Sequence, residues 1–517
     1  MNALTVSPQK NNPPWLLAIL LIAKILLQYL VVNPCYDLHR DEYLHLDMAN
    51  HLAGGYLSVP PFTSWNSLLI QWLGNTEFWV RFFPALYGVL TMLLTWKMIN
   101  MLGGSWFAQL LAGVAFLCSG MTRIHMFYQP NSVDILAWTI ILWLLIKYIN
   151  NPKDTYIIWI GIVLGVGILN KYNILFFAVG LLVALILTPL RAVFRKNAFY
   201  TAIALAVLIA LPNIIWQVKH GYPVLHHMQE LAETQLVHNN RMDFITGQLI
   251  FFLGGAFLTV AGLLALLFYK PFRPYRSIAI IYFVTILLFV YLKAKSYYSL
   301  GLYPALLAFG STYWEQLFQR WKYMRLLWLA VIVFPFVLIL NAAFPLLKPE
   351  EVAREAARFK ALGLSRWEDG KEHEIPQDFA DMLGWREMSA LGLKAWQQVP
   401  EAEKKHTLVL CDNYGQAGAL NYFNKGKMPF AVAMEADYVF WFPKTDTVRY
   451  VIKIGHGPDL TASKGIGNIQ RIGKLSDPFA REYGWGTEVY LLSGFTGDVH
   501  SLLQQRLQKK QQSYMAQ

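Results

Sequence analysis

The chain has 517 residues, of which 56% are hydrophobic and only 15% charged, with a mean hydropathy of +0.36. A water-soluble fold of this length does not carry so apolar a composition, so lipid must be the solvent for much of it. The formal charge of +12 and pI near 9.3 would suit a nucleic-acid binder, but a membrane protein collects Lys and Arg on its cytoplasmic loops for topological reasons, and no nucleic-acid partner is expected.

In chain order, the first apolar run is 15–32, long enough to cross a bilayer, which takes about 20 residues. Asn33-Pro34-Cys35 supplies neither a small-residue cleavage site nor a lipoprotein-like Leu-x-Gly-Cys, so this run reads as an uncleaved span. Further spans read at about 81–101, 105–121, 132–149, 156–170, 173–190, 199–217, 246–269, 278–292, 298–316 and 325–345, making about eleven crossings. The basic residues Lys10, Lys153, Arg191, Arg195, Lys196, Lys270, Arg273, Arg276, Arg320, Lys322 and Arg325 all fall on one side of that arrangement. Positive charge marks the cytoplasmic side, so the N-terminus is expected inside, with the loops 34–79 and 218–245 and everything after about Pro345 outside.

Residues 346–517 change character. Charge becomes frequent, and β-rich runs at Thr407-Leu-Val-Leu-Cys411, Tyr438-Val-Phe-Trp-Phe442 and Val448-Arg-Tyr-Val-Ile-Lys453 alternate with helical patterns, predicting an α/β domain. Asp412-Asn-Tyr-Gly-Gln416 sits where a strand would give way to a helix, a place that binds ligands in open α/β sheets but is also an ordinary turn. The tail from Leu502 reads as a polar helix. Cys35, Cys118 and Cys411 lie far apart and indicate neither a zinc site nor a disulfide framework. The expected fold is thus a multi-spanning α-helical membrane protein, with a transmembrane domain at 1–345 and an extracytoplasmic α/β domain at 346–517.

The chemistry points to the outer face. The loop 34–79 opens with Asp37-Leu-His39-Arg40-Asp41-Glu42-Tyr43-Leu-His45-Leu-Asp47 and continues through Val59-Pro60-Pro61 into an amphipathic stretch, a pattern suited to short interfacial helices. A second acid, Asp134, begins an otherwise apolar span. An acid at the bilayer boundary is costly and so points to function, although it also favours a helix dipole. Lys171-Tyr172 and Lys295-Ser-Tyr297-Tyr298 fall between spans on the same side. Each lysine alone reads as an interfacial snorkelling residue. With Arg81 they place positive charge at headgroup depth, suited to a lipid phosphate or diphosphate; His226, His227 and Arg241 are weaker candidates.

The combination of a first span, an outer-loop Asp-Glu pair, Gly55-Tyr56-Leu-Ser-Val-Pro60-Pro61 and Val80-Arg81-Phe-Phe-Pro84-Ala-Leu-Tyr-Gly88 resembles the GT-C class of membrane glycosyltransferases, family 39. The likeness is to bacterial aminoarabinose transferase-like and protein O-mannosyltransferase-like members. It extends to Asp134, Lys171-Tyr172, Leu211-Pro212-Asn213, Lys295-Ser-Tyr297-Tyr298, Gly384-Trp385 and Asn413-Tyr414-Gly415. It implies an inverting enzyme of the bacterial cytoplasmic membrane that moves a sugar from a polyprenyl-phosphate donor to an envelope glycan or lipid. Asp41 takes the catalytic acidic position, Glu42 its partner and Asp134 the second-loop acid, while Arg81, Lys171, Lys295, Tyr297 and Tyr298 serve the donor phosphate. Ser58 and Val59 stand where aminoarabinose transferases have Glu-Lys, so a metal ligand and a lysine are missing there and the use of a divalent metal is left open. The rival expectations are a transporter or flippase, a non-catalytic binder of lipid-linked sugars, and a protein O-glycosyltransferase.

Overall fold

The computed structural model describes residues 13–234, 236–238, 240–443, 447–458 and 465–515; Lys10, one of the basic residues expected on the cytoplasmic side, lies outside them. The chain forms two compact units, one of Met1–Val31, Phe78–Ile214 and Ala232–Phe344, the other of Val32–Glu77, Ile215–Leu231 and Pro345–Gln517.

The first unit is helical. Every expected span overlaps a helix, but among the described residues five helices can cross a bilayer by length and composition, or seven if each of two bent pairs is one span. One bend, of 101°, falls between Ile174–Leu187 and Pro189–Arg195, where Pro189 has no N–H to continue the helix. The other, of 84°, interrupts the expected 246–269 span between Arg241–Ile250 and the segment Leu253–Phe268. There Leu253 adopts a φ of 42°, and Gly254 lies so close to the Val331 carbonyl that an added Cβ would approach it to 2.1 Å. The expected 298–316 span likewise opens as a 3₁₀ turn, Ser296–Leu302, before the helix Tyr303–Leu317. With no hydrophobic effect between helices in lipid, small residues let backbones approach. Gly262 and Gly310 serve that purpose between Ala256–Phe268 and Tyr303–Leu317, where a Cβ on Gly262 would come within 2.2 Å of the Leu306 oxygen.

The second unit holds a five-stranded mixed sheet in the order β2-β1-β3-β5-β4. Strand β1 (Thr407–Cys411) pairs in parallel with β2 (Val432–Ala433) and β3 (Tyr450–Gly455), while β5 (Glu488–Phe495) runs antiparallel to β3 and to β4 (Ile466–Lys474). Leu408, Leu410, Val432, Val451 and Leu492 form its core with Leu503 of the C-terminal helix Val499–Met515. The same unit contains the helices Arg40–Asp47 and Phe62–Trp72, the latter exposing Trp65, Leu69 and Trp72.

One expected strand is corrected. Residues Ala436–Phe440 form a 3₁₀ turn instead of a strand over 438–442. The Asp437 carboxylate accepts the Leu57 N–H at 2.7 Å and Tyr438 donates to Asp47 at 2.6 Å, so side-chain bonds to another segment take precedence over local β propensity. The Asp412 to Gln416 junction does join a strand to a helix: β1 ends at Cys411, and Asn413 caps Tyr414–Phe423 by accepting the Gln416 N–H.

Candidate functional site

The acids of the loop 34–79 sit on the short helix Arg40–Asp47. Its N-terminus is closed by a capping box in which His39 Nδ1 accepts the Asp41 N–H at 3.2 Å and Glu42 accepts the His39 N–H at 2.6 Å. Glu42 is therefore fully buried and engaged in the cap, whereas the Asp41 side chain keeps 35% of its surface accessible.

Three groups surround the Asp41 carboxylate. Tyr414 donates its hydroxyl at 2.7 Å, His39 Nδ1 stands 3.8 Å away, and the Arg40 guanidinium lies over the Tyr414 ring, 4.4 Å from its centroid. Burial by itself would raise the Asp41 pKa, but the charge of His39, present once its ring is protonated and releases the Asp41 N–H, and that of Arg40 outweigh it and hold the carboxyl at about 2. His39 is shifted the opposite way: burial opposes its charge, yet Asp41 and Asp381 raise it above the ordinary imidazole value. Behind His39, Asp381 stands 3.7 Å from Nε2 and accepts Arg481 through both oxygens at 3.1 and 3.0 Å. Sequence reasoning did not find Tyr414, Arg40 or His39 as neighbours of this acid; Arg40 and His39 were present in the motif, but Tyr414 is 373 positions away.

In the first unit, Asp134 occupies the first turn of Asn131–Asn150 and is buried. Its oxygens accept Trp138 Nε1 at 2.9 Å and Asn173 Nδ2 at 2.7 Å, and Asn173 also donates to the Tyr298 carbonyl. Lys171 donates to Asn131 Oδ1 at 2.7 Å and lies 4.2 Å from the Tyr298 ring centroid and 5.5 Å from that of Tyr297. Asp134, Lys171, Tyr297 and Tyr298 are thus gathered in one network. Lys295 is half-buried at the N-cap of Ser296–Leu302, and Arg81 is buried on Glu77–Met101. Of the weaker candidates, Arg241 donates to the Val290 carbonyl and His226 packs on the Tyr514 ring. Cys35, Cys118 and Cys411 are free thiols. Among the described residues no three His, Cys, Asp or Glu side chains are placed to hold a metal ion.

Residues 58–216 match the family described as dolichyl-phosphate-mannose-protein mannosyltransferase. The lipid A galacturonosyltransferase RgtD of Rhizobium johnstonii is 25% identical over 230 residues, covering 42% of this chain and 48% of that protein. The chain therefore spans about half the length of this curated relative. The structure of ArnT from Cupriavidus metallidurans bound to undecaprenyl phosphate is similar with a TM-score of 0.63 at 14% identity, covering 92% of this chain and 97% of that one. The Archaeoglobus fulgidus oligosaccharyltransferase in complex with Zn and sulfate gives a TM-score of 0.53 at 14% identity, covering 85% and 68%. These likenesses establish the fold. The chain is a multi-pass membrane protein of GT-C architecture, similar to the family 39 glycosyltransferases.

Proposed function

We propose that this GT-C-fold chain is an inverting glycosyltransferase that moves a sugar from a polyprenyl-phosphate donor to an envelope lipid or polysaccharide on the outer face of the bacterial cytoplasmic membrane. The observation that carries this reading is the partly accessible Asp41 carboxylate, kept ionised by His39 and Arg40 and oriented by Tyr414. In the reaction an acceptor hydroxyl oxygen bonds to the anomeric carbon as the bond to the phosphate oxygen breaks, its electron pair leaving with the phosphate. A single displacement without a covalent sugar intermediate inverts that carbon.

Asp41 takes the hydroxyl proton. A carboxylate held near 2 is a weak base towards a resting alcohol, so transfer occurs late, once the attacking oxygen has gained positive charge and its proton has become acidic. Phosphate is a good leaving group, and the remaining demand is to stabilise its charge. We assign that role to Arg81, Lys171 and Lys295, with Tyr297 and Tyr298 beside Lys171 and with Asp134 fixing the Asn173 and Trp138 side chains. Glu42 acts by capping the helix that carries Asp41.

The proposed topology has about eleven crossings, a cytoplasmic N-terminus and an extracytoplasmic domain at 346–517. The family match over 58–216 supports a second reading of the acceptor, a hydroxyl on a polypeptide. Mass spectrometry of envelope glycans, polyprenyl phosphates and envelope proteins from cells with and without the chain tests both. A sugar lost from lipid or polysaccharide supports the first, a sugar lost from protein supports the second, and identical profiles would refute both.

A further inference from the structure

Within the second unit, the ends of Arg40–Asp47 and Phe62–Trp72 and the loop after Tyr414–Phe423 enclose a cavity of about 210 Å³. Cavities for drug-sized ligands run to roughly 300–1,000 Å³, whereas this one has the volume of about seven waters, enough for one ring. Asp47, Asn50, Gln71, Asn75 and Asn421 supply its polar lining. Leu46 and Phe430 supply apolar surface, and exposed Lys425 stands at the mouth.

The hydrogen bonds inside this lining are unbalanced towards acceptors. One Asp47 oxygen takes Tyr438 Oη at 2.6 Å and Asn421 Nδ2 at 2.7 Å, but the other has only a long contact of 3.5 Å from Asn50 Nδ2. Asn50 Oδ1 is occupied by Gln71 at 3.1 Å. Asn75, held in the left-handed region at φ 54°, has its Oδ1 shielded from solvent with no hydrogen-bond partner. That atom is out of a ligand's reach, so the acceptor the cavity offers is the Asp47 oxygen with the long contact, which asks for a donor that the protein does not provide. A hydroxyl-bearing ring supplies several donors at ring spacing and an apolar face for Phe430. A metal cation would meet a single carboxylate inside and a lysine at the mouth.

We infer that this pocket binds one hexose-sized sugar ring, and that the ring belongs to the acceptor glycan. The binding stands apart from the proposed transfer reaction, while the assignment to the acceptor rests on it.

The test uses the full-length protein in nanodiscs and saturation-transfer NMR with D-glucose, D-galactose, D-mannose and D-galacturonate as probes. At least one ring should receive saturation. Gln71→Leu and Asn50→Ala should each weaken that binding about tenfold, the value of one or two hydrogen bonds. No response from any ring, undiminished binding in both variants, or binding of Ca²⁺ in place of sugar would overturn the pocket. If the protein transfers sugar while no ring responds, the pocket falls and the transfer reading stands. Ring binding by a protein that transfers nothing would sustain the pocket and remove the acceptor assignment.

Discussion

Tyr414 donates its hydroxyl to Asp41 Oδ1 at 2.7 Å, tying the helix that follows β1 to the acid that follows the first apolar run. The bond fixes one oxygen of the carboxylate and leaves the side chain partly accessible. Tyr414→Phe removes a hydrogen bond to a charged group and no volume. Transfer should fall about tenfold with donor affinity unchanged, which initial-rate measurements over donor concentration will read. An equal loss of donor affinity would place Tyr414 on the donor instead.

The lysines make a separate prediction. Lys171 is positioned by Asn131 and by the rings of Tyr297 and Tyr298, and Lys295 precedes the same tyrosines in the chain. The double change to Gln should weaken binding of a polyprenyl-phosphate sugar roughly ten- to a hundredfold, the worth of charge-assisted bonds to phosphate. Unchanged affinity would remove both residues from the phosphate site.

Stability should depend on pH through Asp437, which is buried in the second unit. Burial raises its pKa to about 7, against the opposing bonds from Leu57 and Ser58, while an unfolded Asp titrates near 3.9. Between those values the folded state holds a proton that the unfolded state has released. Its contribution is therefore complete below about pH 4 and is lost as pH rises through about 7, a change on the order of a few kcal/mol. Asp47, also raised to about 7 mainly by burial, acts in the same direction, as does His39 with its raised pKa. Asp41 acts oppositely, losing its contribution only as pH falls from about 4 towards 2. Thermal unfolding of the detergent-solubilised protein should give a lower Tm at pH 8 than at pH 5, and Asp437→Asn should flatten that slope. A slope identical in both proteins would contradict the assignment.

Topology can be read with fusions after Gln517. A reporter active only in the cytoplasm should be silent there, and one active only after export should be active. The reverse pattern would place the domain at 346–517 inside.

The sequence made the helices legible because lipid-facing runs are long and apolar and stand out without tertiary information. It hid the break near Leu253, because Phe251-Phe-Leu-Gly-Gly255 reads as uninterrupted apolar chain until Gly254 meets the Val331 carbonyl. The acids of the first loop were visible as residue types, but their division of labour was not. His39 is an unusual N-cap residue, so the capping box that engages Glu42 carried no familiar signature. Tyr414 could not be paired with Asp41 by any spacing rule, since only the folded unit brings positions 373 apart together. In the same way the apolar run at 438–442 looked like a strand until the bonds of Asp437 and Tyr438 to another segment were in view.

In the proposed reaction Asp41 accepts the proton of the attacking hydroxyl. Asp41→Asn keeps the shape and removes the carboxylate, and a positioned base is worth roughly 10²- to 10⁴-fold in rate. Asp134→Asn alters a buried group bonded to Trp138 and Asn173, so it should change donor binding as well as turnover. The deciding measurement is turnover of a labelled polyprenyl-phosphate sugar by purified wild-type and Asp41→Asn proteins in lipid. A loss of that size with donor binding retained is expected; near-normal turnover by Asp41→Asn would place the base elsewhere.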